Sequence, residues 1–223
     1  MADPNPPPKP KGKWPYVQFG SSGKIVGDSS FIIEEYELAR PEGERLDAWL
    51  SPERKAVALT VKRTLEESFY WSAIIERRWR DKDNFQKITV PMFFGGMAPC
   101  CLPDIIGAIL WRQQMRDYYG QGIARHTPEE VKKMAVEDLQ AMEALVVGPY
   151  FHGSRVSSTD LLVYSFFTSL KFNLANWKVP ESGPETLFDT SCPKLQKIVA
   201  AMGKQLEPGL RKLIGTKLVS KVG

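Results

Sequence analysis

Two short stretches, Trp14-Pro15-Tyr16-Val17-Gln18-Phe19 and Gly27-Asp28-Ser29-Ser30-Phe31-Ile32, decide how this chain is read. The first is β-prone and ends at Gly20-Ser21-Ser22-Gly23, a turn-forming run, after which Lys24-Ile25-Val26 resumes an extended pattern. The second turns into a helix, Phe31 to Ala39, which Arg40-Pro41-Glu42-Gly43 should stop. Hairpin followed by helix makes a short β-β-α unit. Within it, Asp28 and Ser29 at the first turn of the helix bring a carboxylate, a hydroxyl and the positive helix end together, a ready site for a small carboxylate. An acidic or Ser residue there is commonly just a cap, so the residues alone do not decide between cap and site.

Everything downstream reads as helix. Ser51-Pro52 supplies an N-cap and an N1 proline for a long helix reaching about Arg80. Val57, Val61, Leu65 and Phe69 recur at every fourth position and Ser72 continues that face, while Tyr70, Trp71 and Ile74 lie off it. That helix is therefore expected to bury more than one face. The stretch 87–99, rich in Pro and Gly, interrupts the pattern before a second helix from about Leu102 to Tyr119. Thr127-Pro128-Glu129-Glu130 is a capping box opening a helix with Val131, Met134, Leu139, Met142 and Leu145 inward. Ser157-Ser158-Thr159-Asp160 repeats that logic, with Val156 and Leu161 placed for a hydrophobic staple. The helix it opens is apolar nearly all round and is expected at the centre of a bundle. A last helix follows Cys192-Pro193, with Leu195, Ile198, Val199, Met202 and Leu206 inward. No internal repeat is present.

Composition narrows the function classes. The chain has 223 residues, 43% hydrophobic and 25% charged, which is ordinary for a globular protein. The net charge of +4 is local: from Lys194 onward there are seven Lys or Arg against Glu207, so that segment carries +6 and the remainder −2. A faintly acidic body lacks the basic stripe of a nucleic-acid binder. No apolar run reaches the roughly 18–20 residues of a membrane-spanning helix. Cys100, Cys101 and Cys192 form no C-x-x-C and read as inert thiols in a reducing compartment. His126 and His152 are too few and too far apart to complete a zinc site with them; sequestration of a soft metal by these cysteines and histidines is the weakest alternative. No nucleophile elbow, phosphate loop or H-E-x-x-H occurs, so no catalytic residue can be assigned. The basic tail reads as the solvated side of an amphipathic helix before it reads as a membrane-surface segment.

The order of these features resembles the glutathione S-transferases: a Trp14-Pro15 step into a strand, a hairpin, then Asp28-Ser29 with Ile32 on the helix, and a helical remainder containing Ser157-x-x-Asp160. The resemblance is sharpest towards the failed-axon-connections and metaxin branch. It is carried by seven segments in register: residues 12–19, 27–33, 46–56, 70–79, 120–131 and 149–167, and the late Cys192-Pro193. It covers about residues 11 to 207 and implies a mainly α fold, a partial thioredoxin-like ββα unit followed by an all-helical C-terminal domain. The implied division is a Pro/Lys-rich disordered N-terminus over 1–12, a partial thioredoxin-like domain over 13–45, the helical domain over 46–207 and a basic tail over 208–223.

The resemblance also implies roles. Trp14 would offer its backbone to the cysteinyl part of glutathione with Pro15 cis, Asp28 and Ser29 would meet the γ-glutamyl end, and Ser157 and Asp160 would be structural caps. No catalytic residue and no metal carry over. The family's first strand, first helix and second strand, which bring the thiol-activating residue, should precede Lys11-Gly12-Lys13, where this chain has a proline-rich dozen residues; a truncated form or a mis-called start is expected. The implied function is binding of glutathione or thiol conjugates in the cytoplasm, with homodimerisation through the helical domain. The alternative is a non-enzymatic, metaxin-like interaction protein at the mitochondrial outer-membrane surface.

Overall fold

The computed structural model describes residues 15–20, 22–91, 102–174 and 184–214. Trp14, Cys100, Cys101 and most of the basic tail lie outside them. Two compact units, divided between Leu50 and Ser51, are described in turn.

The first unit is a hairpin and one helix. Strand β1 (Tyr16–Gln18) pairs antiparallel with β2 (Ile25–Gly27), Val17 opposite Val26. The turn is closed by hydrogen bonds from the Phe19 and Gly23 amides to the carbonyls of Lys24 and Phe19, both 2.9 Å, and Gly23 takes a φ of 65° there. Helix α1 (Ser29–Leu38) follows and buries Ile32, as β2 buries Val26. Since two strands alone are marginal in water, the helix must cover the hairpin for the unit to hold. Phe19 and Tyr36 meet at 5.2 Å between ring centroids, and Lys24 pairs with Glu35. At the far end of the helix the Glu37 carboxylate accepts the Leu46 amide at 2.6 Å, which ties down the chain beyond the turn at Glu42–Glu44.

Among the described residues, the second unit is built of helices. Helix α2 (Pro52–Arg63) starts with the Ser51 hydroxyl accepting the Arg54 amide and continues without a break as a π-helical stretch, Thr64–Arg80. The sequence pattern leads one to expect a uniform α-helix here. Leu65, Phe69 and Ala73, four residues apart along this stretch, are all fully buried. The change comes where the Thr60 and Thr64 hydroxyls donate to the carbonyls four residues back, at 3.0 and 3.1 Å, contacts that bend and loosen a helix. Burial of Ile74, Ile75 and Trp79 shows that more than one face is used. A short hook, Lys82–Asn84 and Phe85–Thr89, extends helical structure into the stretch expected to interrupt it.

Helix α3 (Leu102–Gln121) and α4 (Pro128–Leu145) come next, α4 opening on a complete capping box between Thr127 and Glu130. Its inward face is Val131, Ala135, Leu139 and Met142; Leu145, expected inward, is 38% exposed at the last turn. Helix α5 (Ser158–Leu174) packs against α2, its π-helical continuation and α7, placing Val163, Phe167 and Leu170 at the centre of the unit. Helix α6 (Pro184–Ser191), not foreseen from the sequence, adds Phe188, whose ring stacks on Phe167 at 4.5 Å. Helix α7 (Pro193–Ile214) runs past Leu206 and through Pro208. Two hydrophobic clusters result: a large one around Phe69, Leu139, Phe167 and Leu195, and a smaller aromatic one of Ile75, Trp79, Phe85 and Tyr118. Among the described residues, no helix is long and apolar enough to cross a membrane.

Candidate functional site

The corner between β2 and α1 is shaped by one unusual residue. Asp28 has a φ of 82° and ψ of 129°, the one non-glycine residue with positive φ among the described residues. This lies well away from the left-handed helical well near φ 57°, ψ 47° that Asp visits readily. Such a conformation costs of order 1–3 kcal/mol and persists only where its surroundings hold it. Here three hydrogen bonds hold it: the Asp28 amide donates to the Pro15 carbonyl at 3.0 Å, the Asp28 carboxylate accepts the Ser30 amide at 2.9 Å, and the Asp28 carbonyl accepts the Ile32 amide at 3.0 Å. Pro15 and Asp28 are thereby brought together, and Ser29 follows as the first residue of α1. Asp28 and Ser29 are exposed, so carboxylate, hydroxyl and helix start face solvent. Trp14, the remaining expected contact, lies outside the described residues.

Ser157 and Asp160 form a different kind of centre. Asp160 is fully buried. One carboxylate oxygen accepts the Ser157 amide at 2.8 Å and the Ser157 hydroxyl at 2.7 Å; the other accepts the Phe151 amide at 2.7 Å. Asp160 therefore reaches back across the start of α5 and fixes the loop carrying Phe151. A buried carboxylate is tolerable when its lone pairs are satisfied in this way. In this arrangement the Ser157 hydroxyl donates to Asp160, where the sequence pattern suggests that it accepts from the helix. His152, also buried, meets the Thr159 hydroxyl through Nε2 at 2.9 Å. His126 is exposed beside the capping box, Nδ1 3.6 Å from Glu130; the Thr127 amide holds that carboxyl below its ordinary range. The Cys192 thiol is buried and burial, then the Glu143 charge, pushes it up to about 11, which keeps it protonated and unreactive near neutral pH. Among the described residues no group of three or more His, Cys, Asp or Glu stands together to hold a metal.

The sequence gives no sign of the side-chain contacts that join the hairpin to α1. The Lys24–Glu35 pair joins positions 11 apart, and Phe19 and Tyr36 are further separated; neither spacing belongs to a local motif. The positive φ of Asp28 has a weak signal only, in that Asp is tolerated where φ is positive.

A hairpin and helix with an acidic-Ser helix start, followed in sequence by a helical unit, is a partial thioredoxin-like unit plus a helical domain. Residues 1–84 match the glutathione S-transferase N-terminal domain family. The isoprene-epoxide–glutathione S-transferase of Rhodococcus sp. (strain AD45) is 34% identical over 171 residues, covering 75% of this chain and 69% of that protein. The chain belongs to the glutathione S-transferase family. No solved structure matches it.

Proposed function

We propose that this protein binds glutathione, or a conjugate that keeps the γ-glutamyl end, at the Pro15–Asp28–Ser29 corner. The observation that carries this reading is the strained Asp28, pinned by Pro15 and by the first-turn amide of α1 while its carboxylate and the Ser29 hydroxyl stay exposed. Backbone strain of this size gathers at ligand sites, where it pre-positions a contact. An ammonium group can pair with Asp28, while a neighbouring carboxylate is favoured by the Ser29 hydroxyl and the positive end of α1. The γ-glutamyl end of glutathione carries both groups on one carbon.

Turnover is a separate matter, because conjugation needs a group that lowers the thiol pKa so that the thiolate attacks. No described residue at this corner is assigned that task, so the proposed role is binding. Within the family, the segments in register support placement beside the failed-axon-connections and metaxin branch, with glutathione or thiol-conjugate handling as its role.

Retention on glutathione-agarose, with elution by free glutathione, tests the reading. The full chain should be retained, and Asp28→Ala and Ser29→Ala should each reduce retention while circular dichroism stays unchanged. Conjugation of chlorodinitrobenzene, run in parallel, should be at background. A wild-type chain that washes through, or retention indifferent to both substitutions, sinks the proposal.

A further inference from the structure

Helix α3 has two distinct sides. On the inner one Tyr118 is fully buried, the Trp111 indole N–H donates to the Trp79 carbonyl at 2.7 Å, and Gly107 and Trp111 border a cavity of about 340 Å³ between the hook and α3, with Arg112 at its margin. The outer side carries Ile105, Ile109, Arg112, Arg116 and Tyr119, all exposed. These five follow one another at alternating steps of four and three residues. A mean step of about 3.5 keeps them in one line along about 21 Å of helix.

That repeat is the seam by which one helix packs on another. Exposed apolar residues scattered singly are ordinary, but three on one seam are not. Ile105, Ile109 and Tyr119 are 57%, 58% and 59% exposed. The Tyr119 ring is also held in place: the Arg125 guanidinium stands 5.0 Å from its centroid, and Arg125 Nε donates to the Tyr119 carbonyl at 3.1 Å. A ring already ordered loses little freedom on binding, and Tyr and Arg are prominent among the residues that carry affinity at interfaces.

The two arginines on the seam set the sign of the partner. Other cations of this unit are matched within a helical turn: Arg63 with Glu66 and Glu67, Arg80 with Glu76, Lys133 with Glu137. Arg112 has no acidic partner among the described residues, and Arg116 reaches only its neighbour Asp117, at 4.0 Å with both side chains in solvent. A second copy of α3 laid on this seam would set these arginines against each other or against isoleucine. A lipid surface would meet two charges in the middle of the apolar line. A helix with Glu or Asp opposite Arg112 and Arg116 satisfies both, because a guanidinium takes a carboxylate through two parallel hydrogen bonds.

We propose that the outer seam of α3 is a docking surface for an acidic amphipathic helix of a partner protein. Its carboxylates meet Arg112 and Arg116, and its apolar residues cover Ile105, Ile109 and Tyr119.

The test uses the full chain, isotope-labelled, and two capped synthetic helices whose seams read Leu-Leu-Glu-Glu-Leu and the reverse, so that both chain directions are sampled. One of them should shift the resonances of Ile105, Ile109 and Tyr119, and its counterpart with Lys for Glu should not. Arg116→Glu, at an exposed position, should weaken the acidic helix about tenfold and favour the lysine helix by a similar factor. Ile109→Asp, also exposed, should abolish binding of the acidic helix. Circular dichroism confirms that each variant is folded. The proposal is overturned if neither acidic helix shifts the seam, or if Arg116→Glu leaves the preference unchanged. It is equally overturned if phosphatidylglycerol vesicles sediment the wild-type chain but not the Arg116→Glu variant, since the surface would then read lipid.

Discussion

Asp28 concentrates the argument at the scale of the residue. Its strain of order 1–3 kcal/mol is offset by an N-cap worth about 1 kcal/mol, and the cap function alone is nearly as well served by glycine. Glycine also adopts positive φ without strain, although it has more chain entropy to lose on folding. Asp28→Gly is therefore expected to raise the urea midpoint, by up to about 1 kcal/mol in stability, while lowering retention on glutathione-agarose. Asp28→Ala should lower both, by about 1–2 kcal/mol in the first case. A glycine variant less stable than the alanine variant would show that no strain is stored at this position. Asp138 makes the opposite case, a carboxylate displaced for structural reasons. Burial raises its pKa, against a hydrogen bond from the Ser68 hydroxyl at 2.6 Å, which lowers it. With the folded value above the unfolded value near 4, the native state holds the proton more tightly. Stability contributed by this group is present below the unfolded value and lost as pH rises through the folded one. Asp138→Asn keeps an acceptor for Ser68 and should flatten the fall in stability across that window, measured by urea unfolding at a series of pH values. An unchanged slope would remove Asp138 as its cause.

At the scale of the element, the starts of the helices divide into those capped locally and those capped from a distance. Thr127 and Glu130 cap α4 across three residues, a signature visible in the sequence. Helix α7 is capped by a residue about 50 positions away: the Glu143 carboxylate on α4 accepts the Lys194 and Leu195 amides, both at 3.0 Å, and the Lys194 ammonium donates to the Val146 carbonyl at 3.0 Å. Nothing in the spelling around Glu143 marks it as a cap, because its partners are reached only once two helices pack. Glu143→Ala should cost about 1–2 kcal/mol, and Glu143→Gln less. Glu143→Gln should also lower the Cys192 thiol pKa, since the Glu143 charge helps to raise it. The pH dependence of Cys192 alkylation, mapped by mass spectrometry, would detect that shift; no change would mean that burial alone sets the thiol. The π-helical stretch follows the same division. Its four-residue apolar repeat is plain in the sequence, but its π-helical winding appears only in the folded chain.

For the whole molecule, the distribution of buried side chains is uneven. Both hydrophobic clusters lie beyond Ser51, whereas the first unit buries little apart from Val26, Ile32 and Leu50. A domain stabilises itself in proportion to the apolar surface that it withdraws from water, and small units withdraw proportionally less. Residues 51–223 produced alone should therefore remain helical and unfold cooperatively, while residues 1–50 alone should show no cooperative transition by circular dichroism. Loss of helix from the 51–223 fragment would mean that the second unit is not self-supporting.

Local patterns settled a great deal in this protein. The hairpin, the helix starts at Ser51 and Thr127, and the mainly helical character all follow from turn residues, caps and apolar repeats that act over a few positions. The Asp28-Ser29 pair was legible as a place of interest for the same reason. Tertiary structure alone decided the strained φ of Asp28, the distant cap on α7 and the cavity between the hook and α3. Each depends on groups brought together across long stretches of chain, and such contacts form only when the burial of apolar faces has overcome the entropy of ordering what lies between.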